Sequence, residues 1–169
     1  MKLETRNWKL CPSPYNSYVP SDATSPTPTS GRILALDVGS KTIGRAVSDP
    51  LGITAQGLDT IRRKNKRTDF ELLARTIAEY HVREIVVGYP LHMSGVAGAQ
   101  SLKMKQFADE LHQRFGLPVH LWDERLTSAQ ANRVLRETEM SIRRRAEVVD
   151  RMAAVLILQS FMEARSNRR

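Results

Sequence analysis

Ile33-Leu34-Ala35-Leu36-Asp37-Val38-Gly39-Ser40-Lys41-Thr42-Ile43-Gly44-Arg45-Ala46-Val47-Ser48-Asp49 is the stretch on which the fold turns. An apolar run, Ile33 to Leu36, ends in a carboxylate, Asp37. Gly39, Ser40 and Lys41 follow, and then a second strand-like run through Val47. Short β-branched-rich runs bounded by Gly and Ser predict strands. The Gly-Ser-Lys link predicts a hairpin, with Gly39 taking backbone angles closed to other residues. Asp37 is thereby placed on or beside a buried strand. A charge there costs on the order of several kcal/mol unless it meets a cation or hydrogen-bond donors. A metal ion is one such partner.

Downstream, Asp49-Pro50-Leu51-Gly52 predicts a type I turn, with Asp first, Pro second and Gly fourth. A third extended run, Ile53 to Ile61, completes an antiparallel meander, and Arg62 to Arg67 reads as a basic loop. Thr68 with Glu71 is a capping-box pattern. It opens a helix that puts Phe70, Leu73, Ala74, Ile77 and Ala78 on one face. Glu84 to Gly88 is a buried strand, and Tyr89 to Ala99 a long Gly-rich loop. Gln100 to Phe115 is a second amphipathic helix, with Gly116 as its C-cap. Pro118 to Trp122 is the last strand and runs into Asp123-Glu124. Thr127 starts a third helix, Met140 to Arg145 is a basic connector, and Glu147 to about Ala164 is the final helix. The expected fold is α/β: a five-stranded mixed sheet, antiparallel meander plus parallel strands, flanked by helices. It occupies residues 31–165. Residues 1–30, rich in Pro, Ser and Thr, are expected to be a disordered tail, and 166–169 a frayed basic end.

A chain of 169 residues holds one domain with a real core. No apolar run approaches the roughly 20 residues of a membrane helix, so no membrane partner is expected. The lone Cys11 excludes an internal disulfide and a cysteine zinc cluster. A formal charge of +8 points to a polyanionic partner, nucleic acid first and an acidic membrane surface second.

Asp37 ends the first strand, Glu124 with Asp123 beside it ends the last, and Asp150 lies early in the final helix. The helical neighbours of Asp150 at i+4, i+7 and i+11 are Ala154, Ile157 and Phe161, so this acid sits on the apolar stripe facing the sheet. Each acid alone has an ordinary reading: a hairpin-opening turn, polar residues leaving a strand, an interaction with a helix dipole. Together, at the carboxyl ends of adjacent parallel strands, they can converge. Three converging carboxylates repel, and divalent cations remove the conflict. An oxygen-only donor set suits Mg²⁺ or Mn²⁺ over Zn²⁺. Two such ions about 4 Å apart clamp the attacking and leaving oxygens of a phosphodiester. A basic chain with such a site points to metal-dependent nuclease chemistry.

Four motifs then carry a family resemblance. These are Leu34-Ala-Leu-Asp-Val-Gly-Ser-Lys-Thr-Ile-Gly-Arg-Ala-Val-Ser-Asp-Pro-Leu-Gly-Ile-Thr-Ala55, Ile85-Val-Val-Gly-Tyr-Pro-Leu-His-Met-Ser-Gly95, Asp123-Glu-Arg-Leu-Thr-Ser128, and Val149-Asp-Arg-Met-Ala-Ala-Val-Leu-Ile-Leu-Gln-Ser-Phe161. The chain, from about Arg32 to Glu163, resembles the YqgF family, the RuvX-like pre-16S rRNA nucleases also described as Holliday junction resolvases. The resemblance implies an RNase H-like fold and cytoplasmic work on structured nucleic acid, with maturation of the 16S rRNA 5′ end as the leading assignment. By motif, Asp37 matches the first acid, Asp123-Glu124-Arg125 supplies the second, with Glu124 preferred, and Asp150 is the third. Lys41 and Arg125 are expected at phosphate, and Gly39 lets the backbone approach the metal site. Arg62, Arg63, Arg143 and Arg144 are further candidates for phosphate contact. The family often has Arg where Thr42 stands, a small apolar residue at Arg45, Asn at His92 and an acid at Ser94; these departures bear on substrate preference.

Other readings are a resolvase of four-way DNA junctions, a non-catalytic nucleic-acid-binding module on the same fold, and a phosphotransferase, since Asp-x-Gly-Ser also opens actin-like ATPases and sugar kinases. Kinases of that kind need duplicated domains, for which this chain has no room. The sequence leaves the oligomeric state open, with a monomer favoured.

Overall fold

The computed structural model describes residues 8–10, 18–20, 31–89, 99–123 and 142–167. Its strands are β1 (Trp8–Leu10), β2 (Tyr18–Pro20), β3 (Arg32–Val38), β4 (Thr42–Ser48), β5 (Ala55–Arg62), β6 (Val82–Tyr89) and β7 (Val119–Asp123). Its helices are α1 (Lys66–Glu79), α2 (Ala99–Phe115) and α3 (Ile142–Ser166). They form one sheet in the order β1-β2-β7-β6-β3-β4-β5. The β3–β4 and β4–β5 pairs are antiparallel, while β3–β6 and β6–β7 are parallel. This is the five-stranded mixed sheet expected from the sequence. The short antiparallel hairpin β1–β2 extends it beyond β7, with Tyr18 opposite Leu121. Both short strands lie in the stretch expected to be a tail, of which only they are described. The expected helix from Thr127 lies outside the described residues.

Ile33 to Leu36 are buried without alternation because β3 is central and covered on both faces. Leu34, Leu36 and Val38 join Ile85, Val87, Phe70, Leu73, Phe107 and Leu111 in a core beneath α1 and α2. Ile33, Ala35 and Val86 join Trp122, Ala154, Ile157, Leu158 and Phe161 in a second core beneath α3. The stripe read for the last helix is therefore the one that packs on the sheet. Two strand glycines mark where α3 crosses. A Cβ on Gly44 would lie 2.1 Å from the Asp150 carbonyl oxygen, and one on Gly57 2.7 Å from Arg151 Cγ. At Gly44 the helix backbone itself leaves no room for a side chain, and at Gly57 the Arg151 side chain fills the space.

Three local readings change. The first helix starts at Lys66, not Thr68: the Asn65 side chain accepts from the Thr68 amide at 2.9 Å and is the N-cap. Asn caps as well as Thr does, and Lys66 and Arg67 are good helix formers. The final helix begins at Ile142. Arg143 and Arg144 thus belong to its first turn rather than to a connector, since nothing from Ile142 to Glu147 breaks a helix. Among the described residues positive φ occurs at His81, Gly52 and Gly116, not at Gly39. What Gly39 supplies is room: a Cβ there would meet the Thr42 carbonyl oxygen at 3.2 Å and Thr42 Oγ1 at 3.5 Å.

Candidate active site

Strand parity decides which side chains share a face. Asp37 follows Ile33 and Ala35 and belongs to the α3 side. Gly44 lies opposite it in register on β4, and Asp150 sits directly over Gly44. The hairpin and the helix thereby bring two acids 113 positions apart in number to one place at the carboxyl end of β3. Burial, and then the charge of Asp150, push Asp37 up to about 6 from an ordinary 3.8. Neither acid makes an ion pair among the described residues. Asp150 does have a donor: Thr42 Oγ1 donates to its Oδ2 at 2.6 Å.

The second acid of the expected triad divides. Asp123 is buried at the end of β7 and has the parity of Val119 and Leu121, on the α1/α2 side. Glu124, like Arg125, His92 and Ser94, lies outside the described residues. Among the described residues no group of three His, Cys, Asp or Glu is placed to hold a metal ion. Asp37 and Asp150 fit a hard divalent cation: they are oxygen donors, close enough to repel, and half-buried.

The expected phosphate contacts also divide. Lys41 is exposed at the β3–β4 hairpin, and Arg62 is exposed at the end of β5. Arg63 is used by the fold. Its Nε pairs with the buried Asp69 at 3.1 Å, and its Nη1 donates to the Gly39 carbonyl at 2.8 Å. Its amide donates to the Lys41 carbonyl at 2.9 Å. Arg63 therefore ties the start of α1 to the hairpin that carries Lys41. The side chains of Arg143 and Arg144 are outside the described part of the structure. Arg45 snorkels along the α1 side, its Nε and Nη2 donating to the Asp59 carbonyl at 2.8 and 2.6 Å and its Nη1 to Thr76 Oγ1. Burial lowers its pKa, against the opposing charge of Asp59.

Thr42 is the site residue that sequence reasoning missed. Its partner is 108 residues away, and no periodicity in the chain links the two.

The profile of the RuvX family, described as "Holliday junction resolvase", matches residues 31–164. The chain belongs to the RuvX family. Among its relatives, a protein of Koribacter versatilis named "Putative pre-16S rRNA nuclease" is 60% identical over 83% of this chain and 92% of that one. A protein of the same name from Moorella thermoacetica is 52% identical over 78% of this chain and 94% of that one. The RuvX names are thus those of nucleases. Among solved structures, the yeast mitochondrial Holliday junction resolvase Ydc2 matches with a TM-score of 0.50 at 14% identity, over 84% of this chain and 82% of that one. That likeness is one of fold and agrees with the RNase H-like architecture expected.

Proposed function

We propose that this RuvX chain is a divalent-metal-dependent nuclease that hydrolyses phosphodiester bonds of structured RNA. The task we propose for it is 5′-end maturation of the 16S rRNA precursor in the bacterial cytoplasm. The observation that carries the reading is the Asp37–Asp150 pair. Two acids are set side by side at the carboxyl edge of the parallel strands, and one is pushed to about 6 with no cation beside it among the described residues. A fold selected for stability alone gains nothing from that arrangement. The names of the relatives support the substrate class.

Asp37, Asp150 and Glu124 would hold Mg²⁺ or Mn²⁺, with Asp123 the lesser candidate because its parity turns it to the other face. The bound ion supplies charge neutralisation and lowers the pKa of water at the scissile phosphate. Asp37 would bind the ion through its ionised carboxylate, and the cation would offset the burial that disfavours that charge. Thr42 keeps Oδ2 of Asp150 in one direction. Lys41, and beyond the described residues Arg125, are proposed to hold the phosphates flanking the cut.

The test is purified protein with Mg²⁺ or Mn²⁺ and two substrates in parallel, a 16S precursor fragment and a four-way DNA junction. Cleavage of the RNA that Asp37→Asn abolishes supports the reading. The family description favours a second reading, junction resolution. Cleavage of the junction alone, with paired cuts, would establish it and call for a symmetric dimer.

A further inference from the structure

We infer that Thr42 is a positioning residue for Asp150: its hydroxyl fixes the orientation in which that carboxylate meets a divalent cation. The hydrogen bond from Oγ1 to Oδ2 measures 2.6 Å, short for a hydroxyl donor. Both of its ends are held. At the hydroxyl end, the Gly39 amide donates to the Thr42 carbonyl at 2.9 Å and closes the hairpin. A Cβ on Gly39 would lie 3.2 Å from that carbonyl oxygen, so a glycine there lets the hairpin close tightly on Thr42. The Arg63 guanidinium holds the Gly39 carbonyl from the other side at 2.8 Å. At the carboxylate end, α3 is seated on Gly44, whose absent Cβ would lie 2.1 Å from the Asp150 carbonyl oxygen. A β-branched side chain adds stiffness at χ1, so the hydroxyl is aimed as well as present.

The consequence is chemical. An aspartate on a helix beside a second acid turns away from it when its torsions are free. One fixed donor on Oδ2 removes that freedom and leaves Oδ1 as the oxygen with unclaimed lone pairs. Outer partners of metal-binding carboxylates characteristically contribute about 10–100-fold to metal affinity. This inference rests on the metal-dependent reading above, and it adds a residue that touches neither substrate nor reacting atoms.

The test titrates Mn²⁺ alone into metal-free wild type, Thr42→Val, Thr42→Ala, Thr42→Ser and Asp150→Asn by calorimetry, with melting temperature in EDTA beside it. Thr42→Val and Thr42→Ala should weaken Mn²⁺ about tenfold or more, whereas Thr42→Ser, which retains the donor, should stay within about threefold of wild type. In cleavage assays kcat at fixed Mn²⁺ should fall for the first two while KM for the nucleic acid holds. Wild-type affinity in both donor-less variants would overturn the positioning role and leave the nuclease reading standing. So would a Thr42→Ser as weak as Thr42→Val. Wild type that takes up no Mn²⁺, indistinguishable from Asp150→Asn, would overturn the metal-dependent reading and this inference with it.

Discussion

Helix α3 lies across one face of the sheet with an acid of the sheet beneath each end, and the two acids are treated in opposite ways. Near its start, Asp37 lies beside Asp150, and burial and that second charge push Asp37 up to about 6. Near its end, Glu84 meets Arg165 Nη1 at 2.8 Å and His120 Nε2 at 3.3 Å. Burial opposes ionisation of Glu84 too, but His120 and Arg165 together outweigh it and bring the carboxyl down to about 2. Both acids lie under the same helix on the same face of the sheet and both are partly buried, but their partners differ. Glu84 is paired within the chain, whereas Asp37 has no ion-pair partner among the described residues. The contrast is what the proposed assignment of Asp37 to the site and of Glu84 to the fold rests on.

The largest expected effect tests the unsatisfied end. Under the proposed metal-dependent reading, Asp37→Asn should lower cleavage by about 10³-fold or more, because it would remove a charged ligand of the ion. The same substitution should stabilise the metal-free protein. The gap between 3.8 and about 6 corresponds to about 3 kcal/mol of unfavourable ionisation at neutral pH. A variant that is inactive and melts higher in EDTA would sharpen the comparison; one that is inactive and melts lower would break it.

The pH dependence of that gain is fixed in sign. The folded form of Asp37 holds its proton more tightly than the unfolded chain does. Metal-free stability therefore falls as pH rises from about 4 to about 6 and is level above. Denaturant titrations of wild type and Asp37→Asn should agree near pH 4 and diverge to about 3 kcal/mol by pH 7, the variant being the more stable. Curves that stay parallel across that window would show that Asp37 ionises freely.

Glu84 gives the mirror image. Its contribution is complete above about pH 4.5 and is lost as pH falls toward about 2. Glu84→Gln should cost about 2 kcal/mol at pH 7, the side chain being only 18% exposed, and the deficit should shrink in acid. Cleavage per folded molecule should be unchanged. A loss of activity without loss of stability would move Glu84 into the site and erase the distinction between the two ends.

Much of this was legible in the sequence, and the illegible part has a common cause. The apolar run into Asp37 and the stripe of Ala154, Ile157 and Phe161 beneath Asp150 are local patterns, and patterns of that kind survive folding. They place the two acids on the face they share. The roles of Thr42 and Arg63 could not be read. Thr42 looks like any strand-opening Thr, and its hydroxyl acts across 108 residues. Arg63 belongs to a basic run in which every residue looks alike, and only the buried Asp69 singles it out. The boundary of α3 was misread because Arg143 to Arg145 read as a charged connector, whereas arginines are good helix formers.

The smallest expected effect divides the cations at the unsatisfied end just as the helix divides its acids. Arg63 and Lys41 are both basic, both near the hairpin, and both candidates for phosphate. Arg63 has its guanidinium shared between the Asp69 carboxylate and the Gly39 carbonyl, and its removal leaves a buried acid short of its partner. Arg63→Ala should thus lower stability by about 1–2 kcal/mol. Lys41 is exposed, so Lys41→Ala should leave the melting temperature in place. If Lys41 holds one phosphate, its loss weakens binding only a few-fold and lowers the slope of log affinity against log salt by about one. The slope is the discriminating quantity, because a distorted hairpin weakens binding at every salt concentration, whereas a lost phosphate contact releases one counterion fewer. An unchanged slope in Lys41→Ala, with a reduced slope in Arg63→Ala, would reverse the assignment and make the clamp the contact.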